Sequence, residues 1–199
     1  VLAAPHNYPA GARLLLGPAF CIFPASLAAA GRRAARPNTG PLRVLATFGG
    51  SDPTGLSGKV LRLWLSRQNW PGSARLTLVL GPGFQGAQNL QAALDAAPGR
   101  ARLLQNPPEM PPLYLEADLV VSAGGITLYE LLHLGIPALA VASAPHEAAT
   151  VEEFARRGWV LRGLSRWDQA AVGAALLHCL GQVAGGQARV PEPGFFPSV

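Results

Sequence analysis

Six short apolar segments, each followed by a stretch of helical length, divide residues 43–183 of this chain into a regular alternation. Each segment is short enough for a strand buried on both faces, and most end at Gly, Pro, Ser or Asp before an amphipathic stretch begins. The alternation predicts six βα units in a doubly wound parallel sheet of the α/β class, where ligands bind at the carboxyl ends of the strands. The predicted strands are 43–48, 75–80, 101–104, 119–122, 138–142 and 159–163, and the predicted helices are 53–69, 86–97, 109–116, 127–134, 147–157 and 168–183.

The amino-terminal 42 residues follow a different pattern. Six prolines interrupt them, and the polar piece from Gly31 to Pro41 is typical of a linker, so a boundary is predicted near residue 40. The apolar stretch from Leu14 to Ala30 follows a basic residue as in a signal peptide, but its internal prolines argue against that interpretation. Because the chain has no initiator Met, we expect it to begin inside a longer reading frame. The predicted parts are residues 1–42, a folded domain at 43–183 and a loose tail at 184–199.

The composition is that of a folded chain with a preference for anions. Hydrophobic residues make up 49% of the 199 residues and charged residues 14%, which excludes a disordered chain. The net charge is +5 and fifteen of the sixteen basic residues are Arg, so an anionic ligand is favoured over a cationic one. The arginines are scattered and no aromatic-rich strand lies among them, so no nucleic-acid partner is expected.

The two cysteines indicate neither a metal site nor a disulfide framework. Cys21 and Cys179 lie far apart, and the chain has no CxxC pair and no Cys/His cluster. We expect two buried free thiols in a reducing cytoplasm, and neither a metal nor a cofactor.

The first candidate site is the sequence FGGSDPTG, at the end of the first predicted strand. Gly49 and Gly50 allow positive φ, Ser51 or Asp52 can cap the next helix, and Pro53 suits its first position. The exposed N–H groups of such a turn, at a helix start, can bind a phosphate or diphosphate. The alternative is a well-capped turn with no ligand.

The second candidate is SAGGITLYE, which follows the fourth predicted strand. Gly124 and Gly125 form a second glycine turn, and the two turns are expected to meet in one crevice at the strand ends. Thr127 and Glu130 have the spacing of a capping box, in which Glu130 accepts only a backbone N–H. The functional alternative is that Glu130 accepts hydrogen bonds from both hydroxyls of a ribose.

The third candidate is SAPHEAAT, after the fifth predicted strand. His146 and Glu147 lie at a helix start there and could contact a sugar or a second phosphate, or they could be ordinary first-turn residues. The other histidines, His6, His133 and His178, have no companion at ligand or triad spacing and are expected to be structural.

Two stretches carry a family resemblance. VLATFGGSDPTGLSGKVLRLW (44–64) and ADLVVSAGGITLYELLHLGIPALAV (117–141) closely resemble the UDP-sugar hydrolase family of pseudaminic acid biosynthesis and the related spore coat polysaccharide proteins. They resemble more distantly the carboxyl-terminal half of the lipid II-forming N-acetylglucosaminyltransferase. The resemblance covers residues 43–183 and implies a GT-B fold, in which two Rossmann-like domains hold a nucleotide-sugar between them. This chain would be the second domain, entered by a crossover segment at 14–24.

The resemblance also implies the ligand contacts. In such proteins backbone groups at 105–110 read the uracil, and because the two prolines there have no N–H, Asn106 is left to supply the donor. His146 and Glu147 occupy the place of an Asn-Gln pair that is frequent in the hydrolases. The remaining implied contacts are Gly49, Gly50 and Ser51 on the diphosphate or sugar side, Gly124, Gly125 and Thr127 at the phosphates, and Glu130 at the ribose.

The function predicted from these features is the UDP-sugar-binding half of a GT-B enzyme, foremost a nucleotide-sugar hydrolase of surface-glycan biosynthesis. The resemblance implies that the histidine that activates water lies in the amino-terminal domain, so this chain is expected to bind a UDP-sugar and to require that domain, in the same or a separate chain, for catalysis. The alternatives are the donor-binding half or subunit of a glycosyltransferase, with a membrane partner only for a lipid acceptor, and a non-catalytic interaction module.

Overall fold

The computed structural model describes residue 9 and residues 11–13, 18–34, 40–192 and 194. His6, the first part of the predicted crossover segment (14–17), the middle of the predicted linker (35–39) and most of the last seven residues lie outside this described part.

The described chain forms a six-stranded parallel sheet with helices on both faces, so the predicted doubly wound α/β fold is confirmed. The strand order is β3-β2-β1-β4-β5-β6. The strands are β1 (Arg43–Thr47), β2 (Arg75–Leu80), β3 (Ala101–Gln105), β4 (Leu119–Ser122), β5 (Ala138–Val141) and β6 (Arg162–Leu164). The helices are α1 (Ala25–Ala28), α2 (Leu56–Ser66), α3 (Ala87–Asp95), α4 (Pro111–Glu116), α5 (Thr127–Leu134), α6 (Pro145–Arg156) and α7 (Gln169–Ala184), with short 3-10 turns at Pro18–Phe20 and Pro71–Ser73.

Alternate residues of each strand face two separate hydrophobic layers, as expected for a parallel sheet that is covered on both sides. On β1, Val44 and Ala46 pack with α2 and α7, whereas Leu45 packs with α4, α5 and α6. The central strands β4 and β5 are buried at every position. This rigid centre fixes the loops at the carboxyl ends of β1 and β4.

Several predicted boundaries differ from the structure by one to three residues, and two of these differences have clear local reasons. The first helix of the domain begins at Leu56 and not at Pro53, because Gly55 is in the left-handed conformation at the N-cap. The last strand is Arg162–Leu164 and not 159–163, because Trp159 and Val160 pack into the core before the strand begins. Trp159 makes an edge-to-face contact with Phe154 of α6, and such contacts are typical of buried aromatic pairs.

Residues 18–34 pack against the sheet domain. Leu27 of α1 is fully buried in the layer that contains α5. The guanidinium of Arg33 lies 2.7 Å from Asp118 Oδ1, and its backbone N–H donates to Leu134 O at 2.7 Å. Arg32 donates to Leu132 O at 3.1 Å. The described part of the predicted linker is therefore anchored on the domain.

Within the described residues, no helix is long and apolar enough to cross a membrane. The same residues contain no group of three or more His, Cys, Asp or Glu side chains that could hold a metal ion. Both cysteines are free thiols, with Cys179 buried and Cys21 half-buried.

Candidate functional site

The candidate site is the crevice between the carboxyl ends of β1 and β4. These strands are neighbours, and Thr47 pairs in register with Ser122. From β1 the chain continues toward β2 on one side, and from β4 it continues toward β5 on the other. A ligand crevice forms where connections leave in opposite directions in this way. The two glycine turns found in the sequence therefore flank one crevice.

The turn after β1 has open space beside its glycines and is fixed by an aspartate that binds the start of the next helix. Gly49 has a φ of +79°, and a methyl group placed on either Gly49 or Gly50 would meet nothing within 4 Å. Gly49, Gly50 and Ser51 are all exposed. Asp52 is buried, and its carboxylate accepts from the N–H groups of Leu56 at 2.9 Å and Ser57 at 2.7 Å. Of the two residues predicted to cap the helix, Asp52 and not Ser51 accepts these N–H groups, although Gly55 is the N-cap residue, and the Asp52 charge points back into the helix rather than into the crevice.

Gly81, which the sequence analysis did not single out, supports this turn from the end of β2. A Cβ at Gly81 would lie 2.5 Å from Gly49 O and from Gly50 Cα, so no other residue fits without moving the backbone. Gly83 donates its N–H to Gly50 O at 2.9 Å. The sequence feature that could have indicated this close backbone contact is a glycine directly after a buried strand.

The turn after β4 is packed rather than open. A Cβ at Gly124 would lie 2.7 Å from Glu147 Cβ and 2.9 Å from Val151 Cγ2, both on α6. The N–H of Gly124 donates to Glu147 Oε2 at 3.1 Å, and the same oxygen accepts from Ser143 N at 2.7 Å and Ser143 Oγ at 2.8 Å. Gly124 is therefore a close-packing position whose N–H already has an acceptor. Glu147, expected at a sugar or phosphate, links the ends of β4 and β5.

The next residues of this turn are packed less tightly than Gly124. Gly125 is half-buried and has room for a side chain, since the nearest atom to an added Cβ is Glu147 Oε1 at 3.8 Å. Ile126 is 50% exposed and occupies the N-cap of α5 with no side-chain cap. Thr127 is the first helical residue, so it is not the N-cap and the capping-box interpretation is wrong.

Glu130 lies in the first turn of α5 and is paired with a buried tyrosine. The hydroxyl of Tyr114, on α4, donates to Glu130 Oε2 at 3.1 Å. Burial raises the pKa of the Glu130 carboxyl, and the Tyr114 hydrogen bond lowers it in part. Burial also raises the pKa of Tyr114, so the phenol remains a proton donor. Tyr114 was not predicted as a site residue because no local sequence pattern connects residues 16 positions apart.

The other two expected contacts are exposed. Asn106 follows β3 with a φ of +46°, and its N–H donates to Leu80 O at 2.8 Å. The Asn106 N–H that was expected to contact the base therefore already donates to Leu80 O, whereas the Asn106 side chain is exposed. His146 is the second residue of α6, after Pro145, and its side chain is exposed.

Comparison with known proteins extends these findings. No protein-family model matches the chain. An uncharacterized protein of Methanocaldococcus jannaschii, MJ1062, is 35% identical over 96 residues, which are 47% of this chain and 19% of that protein. The spore coat polysaccharide biosynthesis protein SpsG of Bacillus subtilis is 29% identical over 120 residues, 59% of this chain and 34% of SpsG. The chain thus spans about a third or less of these relatives.

The solved structures of similar fold are GT-B proteins. MurG of Acinetobacter baumannii matches with a TM-score of 0.59 and 20% identity, over 78% of this chain and 48% of that one. The fold is therefore Rossmann-like, as in GT-B proteins. The spinosyn rhamnosyltransferase SpnG complexed with thymidine diphosphate matches with a TM-score of 0.55 and 23% identity, over 84% of this chain and 42% of that one. A protein from Listeria monocytogenes, described as a putative UDP-N-acetylglucosamine 2-epimerase, matches with a TM-score of 0.58 and 14% sequence identity. The match covers 84% of this chain and 46% of that one.

Proposed function

We propose that the crevice between β1 and β4 binds a UDP-sugar and that this chain is the nucleotide-sugar-binding half of a GT-B enzyme. In the proposed complex, the exposed turn at Gly49, Gly50 and Ser51 faces the diphosphate or the sugar. Gly125 and Thr127 approach the phosphates, and Glu130 binds the ribose. The reaction we propose is hydrolysis of the sugar–phosphate bond in surface-glycan biosynthesis, with the residue that activates water supplied by another domain.

The observation that carries this proposal is the pairing of one open glycine turn with one half-buried carboxylate across a topological switch point. Backbone N–H groups in a glycine turn suit an anion because they approach it closely and need no side chain. Ionised carboxylates accept strong hydrogen bonds from hydroxyl groups, and Tyr114 holds the Glu130 carboxyl in place through Oε2. A diphosphate on one side and a ribose on the other fit this arrangement.

The comparisons support the same class of ligand. The name of SpsG places that protein in polysaccharide biosynthesis. SpnG was solved with thymidine diphosphate, and the Listeria protein is named for a UDP-sugar. The net charge of +5 also favours an anionic ligand.

A second candidate function is the donor-binding half of a glycosyltransferase, favoured by the match to the rhamnosyltransferase SpnG. The two candidates differ in the acceptor, which is water for a hydrolase and a hydroxyl compound for a transferase. They are distinguished with the intact enzyme, by measuring UDP and free sugar released from a UDP-sugar in buffer alone. Equal release of both supports hydrolysis, whereas turnover only after an acceptor is added supports the transferase.

Binding is tested by calorimetric titration of the 199-residue chain with UDP, with ADP and dTDP as comparison ligands. Selective binding of UDP supports the proposal, even at a dissociation constant of about a millimolar, roughly −4 kcal/mol. If a folded sample binds none of the three, the crevice is not a nucleotide site on this chain and the interaction-module alternative is favoured.

Glu130→Gln tests the ribose contact directly. We expect UDP affinity to fall at least about tenfold while the melting temperature stays unchanged, because the Gln oxygen still accepts from Tyr114. The matched control is Glu152→Gln, an exposed carboxylate on α6, which should leave affinity unchanged. Equal affinity in the Glu130 variant and the wild type would remove Glu130 from the site.

A further inference from the structure

A cavity lies at the amino ends of the strands, opposite the end of the sheet that carries the crevice. It has a volume of about 460 Å³ and is bounded by the amino ends of β1, β2 and β3 and by the end of α4. Three arginines line it: Arg43, Arg75 and Arg102. The strands are five to six residues long, so this cavity is roughly 16 Å from the glycine turns.

The strand register brings the three arginines together. Arg43 and Arg75 are directly opposite each other on β1 and β2. Arg102 on β3 is opposite Thr77, which lies two residues after Arg75 and on the same face. All three side chains therefore project from the face of the sheet that carries α4. The strand residues next to them in sequence point to the opposite face, into the layer that contains α2 and α7.

The helix that covers this face leaves part of it open. Helix α4 has only six residues and packs against β1, and its Leu113 and Glu116 form one wall of the cavity. A parallel sheet normally has apolar side chains on both faces. Here Arg75, Thr77 and Arg102 take the uncovered positions of β2 and β3, which makes a polar recess where a helix would otherwise pack.

The charge in this recess is unbalanced. Arg43 lies 3.8 Å from Glu116, and both side chains are more than half exposed, so this pair neutralises little. Arg102 donates its Nε–H to the Thr77 hydroxyl at 2.9 Å, which orients the guanidinium without neutralising it. Like charges directly opposite on neighbouring strands repel each other. With three guanidinium groups and one carboxylate in its lining, the recess has a net positive charge that a bound anion would stabilise.

We propose that this recess binds the phosphate group of a small phosphorylated molecule, at a site separate from the crevice. Guanidinium groups bind phosphate through paired N–H donors, and three of them on one face can contact one phosphate from several sides. The volume exceeds what a phosphate alone needs, and Leu45, Leu113 and Ala117 line it with apolar surface. A ligand with an apolar body attached to its phosphate fits the recess best.

The test uses phenyl phosphate as the probe, because it joins a phosphate to an apolar ring. Amide chemical shifts of the isotope-labelled 199-residue chain are followed during titration with phenyl phosphate, inorganic phosphate or uncharged benzyl alcohol. We expect saturable shifts around Arg43, Arg75 and Arg102 with phenyl phosphate, weaker ones with inorganic phosphate and none with benzyl alcohol.

The double variant Arg75→Gln and Arg102→Gln should weaken phenyl phosphate binding at least about tenfold, since it removes two charge-assisted contacts. Arg62→Gln, an exposed arginine on α2, is the matched control and should leave binding unchanged. The proposal is overturned if no saturable binding occurs, or if the double variant binds as tightly as the wild type. Shifts confined to the two glycine turns would also overturn it, because the phosphate would then occupy the crevice.

Discussion

The turns after β1 and β4 both contain two adjacent glycines, yet the two pairs lie in different surroundings. Gly49 and Gly50 are exposed and have open space beside them, whereas Gly124 is pressed against α6. Each turn is fixed by one carboxylate that accepts backbone N–H groups. For the first turn this is Asp52, which bonds its own helix, and for the second it is Glu147, which lies 23 residues away from Gly124.

A double glycine can therefore meet two separate physical needs. In the turn after β1, glycine supplies a positive φ and leaves the backbone accessible to a ligand. In the turn after β4, the absence of a side chain allows a helix to approach a strand end closely. Substitutions at the two turns should therefore affect different properties.

The largest expected effect is from Gly124→Ala. The added methyl group would overlap Glu147 Cβ and Val151 Cγ2, so we expect the free energy of unfolding to fall by about 3 kcal/mol in urea denaturation. Gly50→Ala is the matched control, where the methyl group meets only solvent and stability should change by less than about 0.5 kcal/mol. Similar losses in both variants would contradict the distinction between a packed and an open turn.

Glu147→Ala should have the second largest effect. It leaves the N–H groups of Gly124 and Ser143 without their acceptor, which should cost about 2 kcal/mol of stability in the same measurement. Glu152→Ala, an exposed position on the same helix, should cost little. If Glu147→Ala is as stable as this control, Glu147 does not link the two strand ends.

Asp52→Ala should have a smaller effect, because the two N–H groups that lose their acceptor belong to the first turn of α2, where water can partly replace the carboxylate. We expect a loss of about 1 kcal/mol, measured by thermal unfolding. Asp52→Asn should lose less, since Asn still accepts one N–H and tolerates the φ of +43° at this position. An Asn variant no more stable than the Ala variant would argue against the cap.

The smallest expected effect is a shift in pH dependence at Glu130. Because its pKa is raised by burial, the carboxylate becomes protonated at a higher pH than an exposed Glu, and ribose binding should weaken as pH falls through that value. Tyr114→Phe removes the hydrogen bond that lowers this pKa, so the midpoint should move to higher pH. Uridine is the ligand for this titration because it carries no phosphate.

The Glu130→Gln variant is the control for that profile, since it has no carboxyl group to titrate and should show no pH dependence over the same range. A wild-type profile as flat as that of the variant would mean that Glu130 does not contact the ribose.

The sequence could predict the fold because the strands are short apolar runs that are punctuated by turn residues. It misplaced β6, since Trp159 and Val160 are as apolar as a strand but pack against α6. In the candidate site, the Asp52 cap could be predicted because donor and acceptor lie within five residues. The pairs Gly124–Glu147 and Tyr114–Glu130 could not, because only the fold brings them together.

The anchoring of residues 18–34 has a mechanical consequence. The Arg32 guanidinium donates a hydrogen bond to Leu132 O and the Arg33 backbone N–H donates one to Leu134 O, both in the last turn of α5. Glu130 lies in the first turn of the same helix. An eight-residue helix is about 12 Å long and bends little over that distance. Glu130 precedes the two acceptor residues by two and four positions, about 3 to 6 Å along the helix axis, so a displacement of Arg32 and Arg33 would move the Glu130 carboxylate together with the end of the helix.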